Sequence, residues 1–360
     1  MIAPNVTEVF IKGTPRERGI SYGTQAADAI HRCIAHYADF IGNATGMTWQ
    51  EAGDEAMHFA EAIDKFRPEY LEEMKGIAEG AGVSFADILA INCRSELFAM
   101  KMDRPSDLEL ECTAFAIMPS ASKNGHVLAG QTWDFMYPLR DCMVIVHIAQ
   151  EDKPDILLFT EAGFIGGKGM NSCGVSLTLN AMQAGHDWHG IPLHIKMRAA
   201  LDSTYVAEAY GNAAAGITAV GGNLILTSGD GVALSLEITP KGVDAILPEN
   251  GMILHTNHML SGMLLNKVAD GYRPRGSTFV RLTRLRERMR GRNDVDVEYM
   301  MSVLRDQGGY PNSIDVHITD KLPENRQGAT NYGLIMDTTD KVAWFCAGNP
   351  SEGEFKEYRI

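Results

Sequence analysis

The hydrophobic period of the chain changes near residue 103, and that switch limits the folds open to it. Before it, apolar residues recur at helical spacing: Ala27, Ile30, Ile34, Tyr37 and Ile41 share one face. A short strand at residues 8–13 comes first, and Pro15 stands at a helix start. Thr48 and Glu51 form a capping box for a helix predicted to reach about Phe66. Pro68 opens another that ends at Gly80-Ala81-Gly82, and Ser84 caps a fourth from Phe85 to Met100. Beyond residue 103, short β-like runs follow one another at 112–118, 127–133, 142–149, 155–160, 174–180, 223–228, 232–238, 251–256, 331–337 and 341–346. Helical stretches interrupt them at 192–213 and 277–305. Gly229-Asp230-Gly231 and Asp337-Thr338-Thr339-Asp340 read as hairpin turns. The pattern predicts an α+β fold of stacked sheets covered by helices, behind a mainly helical N-terminal segment.

A chain of 360 residues with 45% hydrophobic content can bury one large core or two modest ones. Its net charge of −14 repels phosphate backbones and anionic lipid, so neither nucleic acid nor a membrane is an expected partner. No apolar run approaches the about 20 residues that span a bilayer. The start, Met1 to Glu8, has neither a basic nor an apolar signal region, so a cytoplasmic location is expected. Six cysteines, at 33, 93, 112, 142, 173 and 346, lack zinc-ligand spacing and read as free thiols.

One of them stands apart. Cys112 opens a β-patterned run directly after the polar, proline-broken stretch 103–111. A cut before it would create a residue with both a thiol and a free amine. An α-amine of pKa about 7.7–8.0 can accept the proton of a thiol of pKa about 8.5. The plain alternative is a small apolar residue on a strand. Asp134, between Trp133 and Phe135, lies at the end of the next strand, where a carboxylate needs a partner: the Cys112 amine, a substrate cation, or a turn it caps. Asn257 follows the run Met252-Ile253-Leu254, and its amide can donate to an oxyanion. The flanking His255 and His258 have no third ligand at a usual spacing, so no metal is expected. Asn180 closes residues 174–180, as a pocket residue or a turn. The glycines of residues 163–169 lack the ending of a phosphate loop and read as turns. The basic stretch Arg281 to Arg292 reads as a solvated helix face.

Together these segments resemble the acyl-coenzyme A:6-aminopenicillanate (isopenicillin N) acyltransferase family of self-cleaving cysteine peptidases. The matching pieces are Cys112-Thr113, residues 130–135, 160–166 and 170–175, and His255-Thr256-Asn257-His258. Residues 310–314 and 328–331 add weaker matches, and residues 13–23 look like the family's opening motif. The resemblance implies a four-layer αββα N-terminal-nucleophile hydrolase sandwich. It implies self-cleavage between Glu111 and Cys112, giving an α chain of 1–111 that stays associated with a β chain of 112–360. Cys112 would then be nucleophile and base, Asn257 the oxyanion donor and Asp134 the buried acid, with Thr113 and Asn180 in support. The substrate would be a small N-acyl compound, without a bound cofactor; acyl-coenzyme A would enter only as a substrate. Two departures stand out. Glu111 occupies the place of a family glycine. Ser313-Ile314 is followed by Asp315-Val316-His317 where the family has Cys-Arg, so Asp134 needs another partner, with Arg140 and His317 as candidates. Competing readings are an uncleaved ligand-binding protein and a thiol hydrolase pairing Cys112 with His255 or His258. Pocket walls are expected from the helical segment and from residues 134–140 and 180–190, with Met136, Tyr137 and Trp188 facing an acyl or aryl group.

Overall fold

The computed structural model describes residues 4–101, 111–268, 272–311, 313–319 and 327–360, and the statements below concern these residues. The stretch 103–110 and Asn312 of the weaker motif lie outside them. An 8-stranded sheet runs in the order β1 (Val6–Ile11), β4 (Met143–Ile148), β5 (Ile156–Glu161), β6 (Lys168–Asn171), β7 (Val175–His186), β8 (Val220–Ser228), β9 (Val232–Thr239), β10 (Gly242–Ile246). A 6-stranded sheet runs in the order β11 (Met252–His255), β2 (Glu111–Ile117), β3 (Leu128–Met136), β12 (Gly328–Asp337), β13 (Val342–Ala347), β14 (Lys356–Arg359). The helices are α1 (Pro15–Gln25), α2 (Ala27–Thr45), α3 (Trp49–Ala56), α4 (Ala60–Phe66), α5 (Pro68–Ala81), α6 (Phe85–Asn92), α7 (Arg94–Lys101), α8 (Leu193–Leu201), α9 (Val206–Ala214), α10 (Gly262–Val268), α11 (Gly276–Met289) and α12 (Val297–Leu304).

The sheets pack face to face through β2 and β3 against β7. Helices α8 and α9 pack on β6 to β9, and α11 and α12 on β2, β3, β11 and β12. This is the expected αββα sandwich. Strand alternation sorts β2 into two faces. Phe115 and Ile117 pack with Leu285, Met289 and Val303 of the outer helices, while Ala114 and Ala116 meet Ile225 and Ala233 of the other sheet. Cys112 therefore faces the space between the sheets, and Glu111 and Thr113 face α11.

Local signals held where a cap or turn residue carried them. The Thr48–Glu51 and Ser84–Asp87 capping boxes form, and Gly82 ends α5 with φ 69°. Two expected long helices are broken, at the 3-10 turn Met57–Phe59 and at Cys93, whose backbone (φ −104°, ψ 16°) leaves the helical region. Residues 163–169 do not form turns throughout: Lys168 and Gly169 begin β6, whose short pairing with β7 left no alternation to read. Strands β10 and β14 were also not anticipated. Among the described residues no helix is long and apolar enough to cross a membrane.

The segment before Cys112 is built into the rest. β1 pairs in parallel with β4. Helices α1 and α5 cross so closely that a Cβ on Gly19 would lie 2.1 Å from Glu73 O and one on Gly23 2.2 Å from Ile77 O, which explains two glycines of the opening motif. From the same crossing, buried Glu73 accepts from Arg18 Nη2 at 2.9 Å and from Arg198 Nη1 of α8 at 2.7 Å. Glu73→Ala removes the carboxylate that two buried guanidinium groups share, leaving Arg18, among the described residues, with the Gly13 carbonyl alone and Arg198 with Asp202, Gln150 and the Ile165 carbonyl. It is expected to lower unfolding stability by about 3–5 kcal/mol in urea titration, and a loss under 1 kcal/mol would show that the clamp is idle.

Candidate active site

Cys112 is fully buried, and its backbone N–H and carbonyl are both engaged by side chains. β11 runs beside β2, pairing His255 with Ala114, and delivers Asn257 to the start of the strand. The Cys112 N–H donates to Asn257 Oδ1 at 2.7 Å, while Asn257 Nδ2 donates to Ala181 O at 3.0 Å. The Cys112 carbonyl accepts from Asn180 Nδ2 at 3.1 Å and from Arg281 Nη1 at 2.6 Å. Asn180 is held in turn by Asn223, and Asn223 by Ser235. Burial pushes the thiol up to about 12, against the pull of Lys168 and Arg281.

Arg281 is the residue that the sequence reading misplaced. It is fully buried rather than solvated. Its Nη1 also donates to Thr113 Oγ1 at 3.1 Å, its Nη2 to Asn257 Oδ1 at 2.9 Å, and its Nε lies 3.5 Å from Glu111 Oε2. The signal was present: Arg281, Leu285 and Met289 fall at i, i+4 and i+8 on the buried face of α11. Counting arginines along the helix hid it. Ser277 of the same helix donates to Glu111, whose carboxylate also lies 3.9 Å from Arg275 Nε.

Asp134 pairs with Glu111 across β2 and β3, so its side chain projects on the α11 side, away from the thiol. It accepts from Thr330 Oγ1 at 2.6 Å and from Thr132 Oγ1 at 3.2 Å. Thr132 Oγ1 also accepts from the Thr113 N–H. Neither candidate partner reaches it. Arg140 donates to Thr330 O and Asn349 Oδ1 and lies 4.2 Å over the Tyr137 ring; His317 pairs with Asp315. Two hydroxyls and the charge of Arg281 stand in the place given to a single cation. His255 binds Glu237 and the Thr256 carbonyl, and His258 binds the hydroxyls of Thr256 and Thr278; among the described residues neither ring bonds to Cys112.

A cavity of about 300 Å³ lies beside the start of β2, lined by the Cys112 neighbours Glu111, Trp133 and Asn257 but not by Cys112 itself. Ala181, Phe98, Phe135 and Val220 also line it. The N-terminal helices and residues 181–186 contribute as expected, but Met136, Tyr137 and Trp188 do not line it. Trp188 packs on Phe59 and His186 instead.

Burial pushes Asp134 up to about 8, against Arg281 and Thr330. A carboxyl whose folded value lies above its unfolded value binds more protons when folded, so stability falls as pH rises from about 4 to about 8. Asp134→Asn mimics the protonated form. Urea midpoints of Asp134→Asn should decline less than wild type across that window; parallel curves would show that Asp134 is ionised throughout.

Residues 120–352 match the family described as "Acyl-coenzyme A:6-aminopenicillanic acid acyl-transferase". The chain is 29% identical over 351 residues to the acyl-coenzyme A:6-aminopenicillanic-acid-acyltransferase 40 kDa form of Emericella nidulans, covering 95% of this chain and 93% of that one. Among solved structures it is similar to a mutant of conjugated bile acid hydrolase from Clostridium perfringens, with 14% identity, 69% and 97% of the two chains covered, and a TM-score of 0.45. It is also similar to a Caenorhabditis elegans ortholog of N-acylethanolamine-hydrolyzing acid amidase, with 15% identity, 63% and 93% covered, and a TM-score of 0.45. With a family match over well more than half its length, the chain belongs to the acyl-coenzyme A:6-aminopenicillanic acid acyl-transferase family.

Proposed function

We propose that the chain cuts itself between Glu111 and Cys112 and that residue 112 then works as an N-terminal nucleophile on the amide bond of a small N-acyl compound. The observation that carries this reading is the surround of Cys112. Its N–H is held by Asn257 and its carbonyl by Asn180 and Arg281, and a cavity lined by its neighbours Glu111, Trp133 and Asn257 opens next to them.

In the self-cleavage step the sulfur attacks the Glu111 carbonyl carbon. The tetrahedral oxyanion collapses with loss of the Cys112 nitrogen, which takes up a proton and becomes an α-amine. Water hydrolyses the resulting thioester and frees the thiol. The pieces are 1–111 and 112–360. In the catalytic cycle the α-amine accepts the thiol proton, the sulfur attacks the substrate carbonyl, and the protonated amine returns its proton to the leaving nitrogen. Asn257 Nδ2, now on Ala181 O, serves as oxyanion donor. Arg281, Thr113 and Asn180 hold the start of the strand in place, and Asp134 orients the new amine. Phe98, Phe135 and Val220 offer an apolar seat for the acyl group. The acyl-enzyme passes to water, which needs no dedicated site, or to an amine that enters the cavity.

Intact-mass analysis tests the reading. Wild type should give two pieces, the larger beginning at Cys112, whereas Cys112→Ala stays whole. A whole wild-type chain with the same amidase activity as Cys112→Ala would sink it. Asn257→Leu should slow turnover of the amide substrate by about 10²–10³-fold, the usual loss for one oxyanion donor, and unchanged turnover would remove Asn257 from the role.

A further inference from the structure

The self-cleavage step lacks one component that the mature site has. While Cys112 is joined to Glu111 its nitrogen is a peptide N–H held by Asn257, so no α-amine exists to take the thiol proton. Asp134 lies on the other face of the sheet. His255 and His258 are occupied; His194 Nδ1 lies on Gly166 O, and although its Nε2 has no partner among the described residues, burial first and then Arg94 and Lys168 hold this ring well below the usual histidine range, which makes it a poor base.

Lys168 has no such engagement. Its side chain is fully buried, and among the described residues Nζ has no hydrogen-bond partner. Nζ lies 3.1 Å from the centre of the Trp133 ring and 5.7 Å from that of Tyr332. Trp133 pairs directly with Cys112 on one side and with Tyr332 on the other. The three side chains form a row on the inner face, and the amine of β6 rests on the Trp133 ring, the neighbour of Cys112 in that row, close enough for its charge to act on the thiol.

We propose that Lys168 takes the proton of the Cys112 thiol in the uncut chain and then holds the thiolate as its counter-ion. This rests on the self-cleavage reading above. The S–H proton moves to Nζ. The sulfur electron pair forms the bond to the Glu111 carbonyl carbon, and the C–N bond breaks. The proton stored on Nζ balances the one that the departing Cys112 nitrogen takes up. The groups facing Lys168 are Cys112 from β2, Glu161 from β5, Arg94 from α7, His194 from α8 and Tyr332 from β12. Burial brings the ammonium down to about 8, with Arg94 pushing the same way and Glu161 and Cys112 opposing. A free amine is thus accessible near neutral pH.

The test follows cleavage of the full chain after cell-free synthesis, by intact mass, from about pH 6 to about pH 10. Lys168→Met puts an apolar chain in an apolar place and should melt no lower than wild type. It should cut about 10²–10⁴-fold more slowly near neutral pH, the usual contribution of a positioned base, and gain rate steadily with pH where wild type levels off. Lys168→Arg keeps the charge but cannot accept a proton, so it should also cut slowly. Wild-type rates in both variants, or slow cutting with an unaltered pH profile, would overturn the proposal. If wild type itself stays whole, the self-cleavage reading falls. The pairing is then judged by site-resolved iodoacetamide labelling of Cys112: slower labelling in Lys168→Met below about pH 9 supports it, and equal labelling ends it.

Discussion

One guanidinium ties the site together. Arg281 reaches into the sandwich from α11 and touches the Cys112 carbonyl, the Thr113 hydroxyl, the Asn257 amide oxygen and the Glu111 carboxylate. Moving such a group out of water is expensive unless acceptors or an opposite charge meet it; here both Nη atoms find acceptors, the Nε faces the Glu111 carboxylate at 3.5 Å, and charge-assisted bonds of this kind are roughly twice as strong as neutral ones. Three separate pieces of chain, the first residues of β2, the turn after β11 and the second turn of α11, are therefore fixed to one point. The buried acids Glu111 and Asp134 lie within its field, which is what lets two carboxyl groups share one small region.

The β-pleat then divides the chemistry. On the inner face stand Cys112, Trp133 and Tyr332, with the Lys168 amine; on the outer face stand Glu111, Thr113, Thr132 and Asp134, with Arg281. Nucleophile and acid are close along the ribbon yet separated by its plane. Communication between them runs through main-chain atoms and the Thr132 hydroxyl, which takes the Thr113 N–H and gives to Asp134.

Much of this was legible in the residues. The shift from helical to alternating period located the strands that carry Cys112 and Asp134, and the caps at Thr48 and Ser84 formed as read. Cys112 and Asn257 meet although 145 positions separate them, because β11 lies beside β2. What escaped was decided by packing. Arg281 looks like any surface arginine until the buried stripe of α11 is counted with it. Lys168 sits in a glycine-rich stretch whose strand is four residues long, too short for alternation to register. Arg140 and His317 were sensible partners for Asp134 by charge alone, but Tyr137 and Asn349 hold the first, and Asp315 the second.

β1 is the edge strand of the 8-stranded sheet and pairs with β4, far beyond Cys112 in sequence, while Glu73 is locked to Arg198. A break ahead of Cys112 would thus sever the covalent thread without creating two bodies. The fragments would share a single interior, so their separation would be the same event as unfolding, and its equilibrium would depend on protein concentration as that of the joined chain does not. Residues 1–111 by themselves would hold only β1 of the two sheets, and residues 112–360 would keep the 6-stranded sheet but lack β1 and the helices α1 to α7.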